Sequence, residues 1–239
     1  MSELSKAAAR LEEASPQEVL RWVYSRFERV ALVASFQAES TVLIDMASQL
    51  VEEPEVVTLD TGRLPQETQD QIDRELAAHQ LRLHVQTPDP QELRELASEH
   101  GANPFRRSVE LRHLCCDVRK TRPLARALRG FDAWITGLRR DQARSRAATP
   151  VVAEDPAHGG IAKVAPLVRW SEEQVWDHIR SRRLEYHELY DRGYRSIGCA
   201  PCTRAVGPGE DPRAGRWWWE REEEVKECGL HWSPQVVLQ

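Results

Sequence analysis

Five cysteines carry the chemistry that this chain could do. Cys115 and Cys116 are adjacent, Cys199 and Cys202 form a Cys-Ala-Pro-Cys clip, and Cys228 stands alone in Lys226-Glu227-Cys228-Gly229-Leu230-His231. Four thiolates complete the ligand shell of a zinc ion or an iron-sulfur cluster, and a fifth outside that shell is free to react. Cysteines are often only small buried hydrophobes, but adjacency and a tight clip argue against that here. On a helix, neighbouring side chains point about 100° apart, so Cys115 and Cys116 could reach two corners of one cluster at some strain. Zinc is the rival metal, although its tetrahedral sites usually draw on two spaced clips. Arg119 and Lys120 follow Cys115 and Cys116 by a helical turn, which would set positive charge on the thiolate faces.

The chain has 239 residues, a net charge of -5 and a pI near 6.0. That is enough to bury a sizeable core without staples, so the cysteines read as metal-binding or catalytic rather than as a disulfide framework. The stretch from Met1 to Phe27 carries Glu3, Glu12, Glu13 and Glu18 and has neither the basic start nor the apolar run of a secretory signal. No apolar stretch is long enough to span a membrane, so a reducing cytoplasm is the expected compartment. Arginines gather as Arg139, Arg140, Arg144 and Arg146 and again as Arg204, Arg213 and Arg216. An acidic chain without a continuous basic stripe speaks against nucleic acid and for a small anionic ligand.

These residues must be positioned by elements, and the chain from Val30 to Leu138 alternates short β-branched runs with helical patterns. The pattern predicts strands at Val30–Phe36, Glu55–Asp60, Leu81–Thr87 and Phe131–Leu138, with helices near Glu39–Leu50, Pro65–Gln80 and Pro90–Glu99. A further strand is expected at Lys163–Trp170 and a helix at Ser171–Arg182. The fold class is therefore α/β, a parallel sheet wrapped by helices. Three parts are expected: an N-terminal helical segment 1–29, an α/β domain 30–198 and a C-terminal segment 199–239 with the clip and Cys228.

The strands run out into Ser35-Phe36-Gln37-Ala38-Glu39-Ser40, Leu59-Asp60-Thr61-Gly62-Arg63, Thr87-Pro88-Asp89-Pro90 and Thr136-Gly137-Leu138-Arg139-Arg140-Asp141-Gln142. In an open parallel sheet the ligand crevice lies outside the carboxyl ends of the strands. Ser, Thr and Asp are also ordinary helix caps, so each turn alone is weak. No Walker-type lysine loop and no complete G-x-G-x-x-G follows the first strand, which excludes the standard triphosphatase and dinucleotide motifs.

Taken together, Cys115-Cys116-Asp117-Val118-Arg119-Lys120, Thr136-Gly137-Leu138-Arg139-Arg140-Asp141-Gln142, Cys199-Ala200-Pro201-Cys202-Thr203-Arg204 and Glu227-Cys228-Gly229-Leu230-His231 closely resemble the assimilatory adenosine 5'-phosphosulfate reductases of the sulfonucleotide reductase family. Leu59-Asp60-Thr61-Gly62-Arg63-Leu64 and Gly215-Arg216-Trp217-Trp218-Trp219-Glu220 extend the likeness, which runs from about Ser35 to His231. The resemblance implies an adenine nucleotide alpha-hydrolase-like sheet, one 4Fe-4S cluster on Cys115, Cys116, Cys199 and Cys202, and Cys228 as nucleophile. It assigns Lys120, Arg146, Arg213, Arg216 and His231 to the phosphosulfate, and Ser35, Leu59, Thr61 and Gly137 to the neighbourhood of the nucleotide. Bidentate guanidinium groups suit such oxygens. One departure is visible: Gln37 and Ser40 stand where the family's first loop has glycine and aspartate, which implies altered affinity rather than lost function.

The implied reaction is attack of the Cys228 thiolate on the sulfur of adenosine 5'-phosphosulfate, leaving AMP and an S-sulfocysteine. Thioredoxin or a glutaredoxin-like thiol then releases sulfite, since no further spare cysteine remains. The resemblance further implies a homo-oligomer acting in sulfate assimilation toward cysteine. Two rivals stand beside it. One is a reductase preferring the 3'-phosphorylated nucleotide, whose iron-free relatives lack the two cysteine pairs. The other is a nucleotide-binding regulatory protein with a structural four-cysteine zinc site.

Overall fold

The computed structural model describes residues 2–220 and 229–230. Two helices open the chain, α1 (Glu3–Leu11) and α2 (Pro16–Arg26). The second starts on a capping box in which the Ser15 hydroxyl accepts from Glu18 N while the Glu18 carboxylate accepts from Ser15 N, with Pro16 in the first turn.

Six strands then form one sheet: β1 (Val30–Val33), β2 (Glu55–Leu59), β3 (Arg82–Gln86), β4 (Ala133–Ile135), β5 (Val152–Asp155) and β6 (Ile161–Val164). Their order is β3-β2-β1-β4-β6-β5. β1 pairs in parallel with β2 and β4, and β4 with β6, whereas β5 closes one edge antiparallel to β6. The helices between them are α3 (Ala38–Ser48), α4 (Gln66–Ala78), α5 (Pro90–His100), α6 (Val109–Cys116), α7 (Arg122–Ala127) and α8 (Glu172–Arg182). Strands covered on both faces read as continuous apolar runs, and Ala31, Leu32, Val56, Val57 and Ile135 are indeed fully buried.

The expected α/β class and the first three strands hold, with ends shifted by a few residues. β1 stops before Phe36, whose φ of 55° leaves the extended region. The expected strand Lys163–Trp170 is corrected to Ile161–Val164. Pro166 cannot donate to a ladder, and the chain turns instead, with Val168 N donating to Ala165 O and Trp170 N to Leu167 O. The edge strand β5 and the helix α7 were not expected, and α6 was expected only as a helical spacing at the cysteine pair. β5 is held by its pairing with β6 and by Trp134 Nε1, which donates to Asp155 Oδ2 at 2.9 Å.

The chain divides into two compact units, Met1–Thr58 with Gln66–His84 and Leu128–Glu188, and Leu59–Pro65 with Val85–Ala127 and Leu189–Gln239. Among the described residues no helix is long and apolar enough to cross a membrane.

Candidate functional site

In the first unit, the turn after β1 places Ser35 at the surface, where its hydroxyl accepts from Gln37 Nε2 at 2.9 Å and its N–H donates to Ser40 Oγ at 3.0 Å. Gln37 caps α3 with φ -88°, an ordinary conformation for any residue. The glycine that this position lacks is therefore not needed for backbone freedom here. Gly137 lies so close to α3 that an added Cβ would sit 2.8 Å from Glu39 Cβ. Glu39 Oε1 accepts from Arg139 Nε at 3.0 Å and from Gln142 Nε2 at 2.9 Å. Gln142 Oε1 in turn accepts from Arg146 at 2.5 Å. Ser35, Gly137 and Arg146 thus belong to this unit, and a carboxylate and an amide hold the half-buried Arg146 in place.

The second unit carries Leu59, Thr61, Lys120, Arg213 and Arg216 together with both cysteine pairs. α6 starts on Ser108, whose hydroxyl accepts from Leu111 N, and ends on Cys115 and Cys116. Asp117–Thr121 forms a π-helical turn, a local widening that often marks functional sites. Arg119 therefore reaches back to Thr61 O at 2.6 Å and acts on Cys115. The charge of Lys120 acts on Cys199 and Cys202 of the clip.

All four paired cysteines are buried, none in a disulfide, and they line one cavity with Arg63, Phe105, Arg119, Lys120, Arg216 and Trp217. The clip is tied down by Ala200 N donating to Arg63 O at 2.8 Å and by Thr203 Oγ1 donating to Cys199 O at 3.1 Å. Thr61, expected beside the nucleotide, has its hydroxyl 3.3 Å from Cys199 Sγ and is almost wholly buried. Arg216 spreads its guanidinium over Gly198 and, at 4.6 Å, over the Trp217 ring. A side chain at Gly198 would collide with it. Arg213 lies one turn earlier, half-buried, its N–H donating to Asp211 Oδ1. Leu59 ends β2, half-buried.

The electrostatics divide the thiols. Burial pushes Cys115 up, and burial together with Cys199 pushes Cys202 up to about 11. Burial opposes ionisation of Cys199 too, but Lys120, the Thr61 hydroxyl, Arg216 and Arg119 outweigh it and hold the thiol below its usual range.

Four sulfurs around one cavity fit a group that takes four thiolates. Three of the lining residues carry buried donors without a hydrogen-bond partner in the structure, Arg119 Nε, Arg216 Nε and Trp217 Nε1. Among the described residues, no three or more His, Cys, Asp or Glu side chains are closed into a metal-holding geometry. Cys228 and His231 lie outside the described residues. Sequence reasoning missed Arg63, Phe105 and the fully buried Arg112. Arg63 stood within the Leu59–Leu64 motif without being assigned a role, and Arg112 precedes the cysteine pair by three and four positions on the same helix.

Residues 29–205 match the phosphoadenosine phosphosulfate reductase domain. The chain is 44% identical to the adenosine 5'-phosphosulfate reductase of Allochromatium vinosum, over 92% of this chain and 85% of the relative. It is 41% identical to that of Pseudomonas aeruginosa, over 96% of this chain and 86% of the relative. It resembles the crystal structure of the phosphoadenylyl-sulfate reductase from Candida auris with a TM-score of 0.73 and 31% identity, over 86% of this chain and 98% of that one. The FMN adenylyltransferase of Candida glabrata, with a TM-score of 0.58 and 13% identity, over 87% of this chain and 69% of that one, shares the fold. On the family match and these identities, the chain belongs to the phosphoadenosine phosphosulfate reductase family.

Proposed function

We propose that the protein is an oxidoreductase that reduces adenosine 5'-phosphosulfate to sulfite and AMP at the expense of a thiol. The observation that carries this reading is the gathering of both cysteine pairs around one cavity in a chain more than 40% identical to relatives named for that reaction. Cys228 is the one cysteine outside the two pairs. Its thiolate attacks the sulfonate sulfur, the bond from sulfur to the phosphate oxygen breaks, and AMP leaves with the electron pair. The product is an S-sulfocysteine. A thiolate of thioredoxin or a glutaredoxin-like protein then attacks Cys228 Sγ and expels sulfite, and its second thiol resolves the mixed disulfide. Two electrons pass from the dithiol to sulfur.

Lys120, Arg146, Arg213, Arg216 and His231 bind the phosphosulfate oxygens in this scheme, and Ser35, Leu59, Thr61 and Gly137 serve the nucleotide. Cys115, Cys116, Cys199 and Cys202 hold one 4Fe-4S cluster. When bound, the cluster supplies a fixed charge and a cross-link between two segments rather than electrons. The reaction serves sulfate assimilation toward cysteine in a reducing cytoplasm, and the protein works as a homo-oligomer.

Mass measurement of the intact, anaerobically purified protein after mixing with adenosine 5'-phosphosulfate, without any thiol donor, tests the reading. A sulfonate-sized gain that maps to Cys228 is expected, and none in Cys228→Ser. Sulfite production by Cys228→Ser would overturn the scheme. The 3'-phosphorylated substrate is a second reading, favoured by the name of the matching domain and of the Candida auris structure. A gain with that nucleotide alone would put it first.

A further inference from the structure

We propose that Glu12, at the end of α1, is a positioning residue for Arg146: it props the arginine that ties together the two ends of the loop carrying Arg146. This rests on the function proposed above, in which Arg146 binds the phosphosulfate. Glu12 lies ahead of the matched domain, which begins at residue 29, and all the residues involved belong to the first unit. The Glu12 carboxylate accepts from two nitrogens of Arg140, Nη1 at 2.5 Å and Nη2 at 3.1 Å. Arg140 Nε donates to Thr149 O at 2.9 Å, nine positions on, while the Arg140 backbone N–H donates to Val168 O at 2.9 Å. One side chain thus closes the stretch Arg140–Thr149.

That stretch carries Arg146 in a short 3-10 turn, Arg144–Arg146, closed by Ala147 N donating to Arg144 O and Thr149 N to Arg146 O. Arg144, Ser145, Ala147 and Ala148 are exposed, so little apolar burial holds the turn and polar ties must do so. At its start the tie is Glu39, which reaches Arg146 through Gln142. At its end the tie is Arg140, whose Nη edge meets Glu12. A planar guanidinium gripped on two nitrogens by one carboxylate has its direction fixed as well as its charge met. Without Glu12, the bond to Thr149 O must bear the entropy cost of ordering a long side chain. Glu12 itself is well seated. Leu11 beside it is buried, α1 packs against β5, and Arg169 Nη1 donates to Glu12 O at 3.0 Å and to the Glu13 carboxylate. The bond to Glu12 O survives substitution of the side chain, so removing the carboxylate withdraws the prop without releasing α1. The paired side chains are 31% and 36% exposed, and an ion pair so placed is worth little in global stability. Its effect is on the share of molecules that hold Arg146 ready, about twofold to fivefold in nucleotide affinity.

Glu12→Ala and Glu12→Gln test this, each alone and combined with Arg146→Ala, all in the Cys228→Ser background so that adenosine 5'-phosphosulfate binds without reacting. Equilibrium affinity for that nucleotide and amide hydrogen exchange are measured. Glu12→Ala is expected to bind about twofold to fivefold more weakly, and Glu12→Gln, which keeps one acceptor, to lose less. Exchange should quicken over Arg144–Thr149 and not in β1 or β4. Neither substitution should weaken binding further in the Arg146→Ala background. Unchanged affinity and exchange in Glu12→Ala would overturn the proposal. So would an equal loss with and without Arg146→Ala, since Glu12 would then act on the fold at large rather than through Arg146. An affinity unmoved by Arg146→Ala alone would overturn it at its target. Failure of the unsubstituted protein to form the Cys228 adduct would instead remove the proposed function, and the affinity and exchange readouts would still decide the role of Glu12.

Discussion

Gly137 has no room for a methyl group, since a Cβ there would lie 2.8 Å from Glu39 Cβ. Gly137→Ala therefore pushes Glu39 away from Arg139 and Gln142 and loosens the hold of Gln142 on Arg146. The expected cost is about 1–3 kcal/mol, seen as a lower Tm together with weaker nucleotide binding. Glu75 offers a pH test. Burial raises its carboxyl to about 7, against the favourable hydrogen bonds from Thr41 and Gln71, and Asp45 and Glu185 add to the rise. His79, whose Nε2 lies 3.7 Å from Glu75, is pushed down mainly by burial, so this contact is not a fully charged pair near neutrality. A raised carboxyl contributes stability that is fully present below its unfolded value of about 4.5 and is lost as pH rises toward 7. Both hydrogen bonds fall on Oε1, which glutamine keeps. Glu75→Gln is thus expected to raise Tm by several degrees at pH 8 and to change it little at pH 4, and an equal shift at both values would refute the assignment. None of this was legible in the sequence, where Glu75 is one acidic residue of a polar helix. The cysteines were legible because a touching pair and a clip are rare, whereas Arg112 hides among many arginines.

Elements follow the same logic. The first loop needs no glycine at position 37, because Gln37 adopts an ordinary φ, while Phe36, buried at φ 55°, takes the left-handed position. Ser40 supplies the acceptor for Ser35 N. Ser40→Ala is expected to cost about 1 kcal/mol and to lower Tm by 2–4 °C, whereas Ser40→Asp retains the acceptor and the stability; equal losses in both would show that the side-chain oxygen is irrelevant. The strands β1, β2 and β4 were visible as apolar runs because strands covered on both faces carry no polar alternation, whereas β3 is a partly exposed edge strand whose polar and apolar residues alternate. The edge strand β5 was not, since Val152–Asp155 is short and half polar, and its pairing is set by β6 rather than by local pattern. The π-helical turn was also hidden. No residue in Asp117–Thr121 marks it, yet it decides that Arg119 meets Thr61 and that Lys120 acts on the clip.

At the scale of the whole molecule, metal dependence should be unequal. The first unit rests on a sheet core with Val19, Leu32, Val42, Leu43, Ile135 and Val164 fully buried, and none of the cysteines belongs to it. The second unit has three short described helices, and its apolar cluster of Leu96, Phe105, Val118 and Trp217 includes the four paired cysteines themselves. A four-thiolate group there would link α6 to the clip across the long separation between Cys116 and Cys199, the kind of closure that stabilises most. Its removal leaves four buried sulfurs facing a cavity with the cationic groups of Arg119, Lys120 and Arg216 on its wall. Iron removal by oxidation and chelation is therefore expected to abolish hydrogen-exchange protection at Cys199–Thr203 and along Val109–Thr121, while β1, β4 and β6 keep theirs. Loss of protection in both units at once would mean that the thiolate group supports the whole chain. Unchanged protection in both would mean that side-chain packing alone holds the clip, and would count against a four-thiolate group.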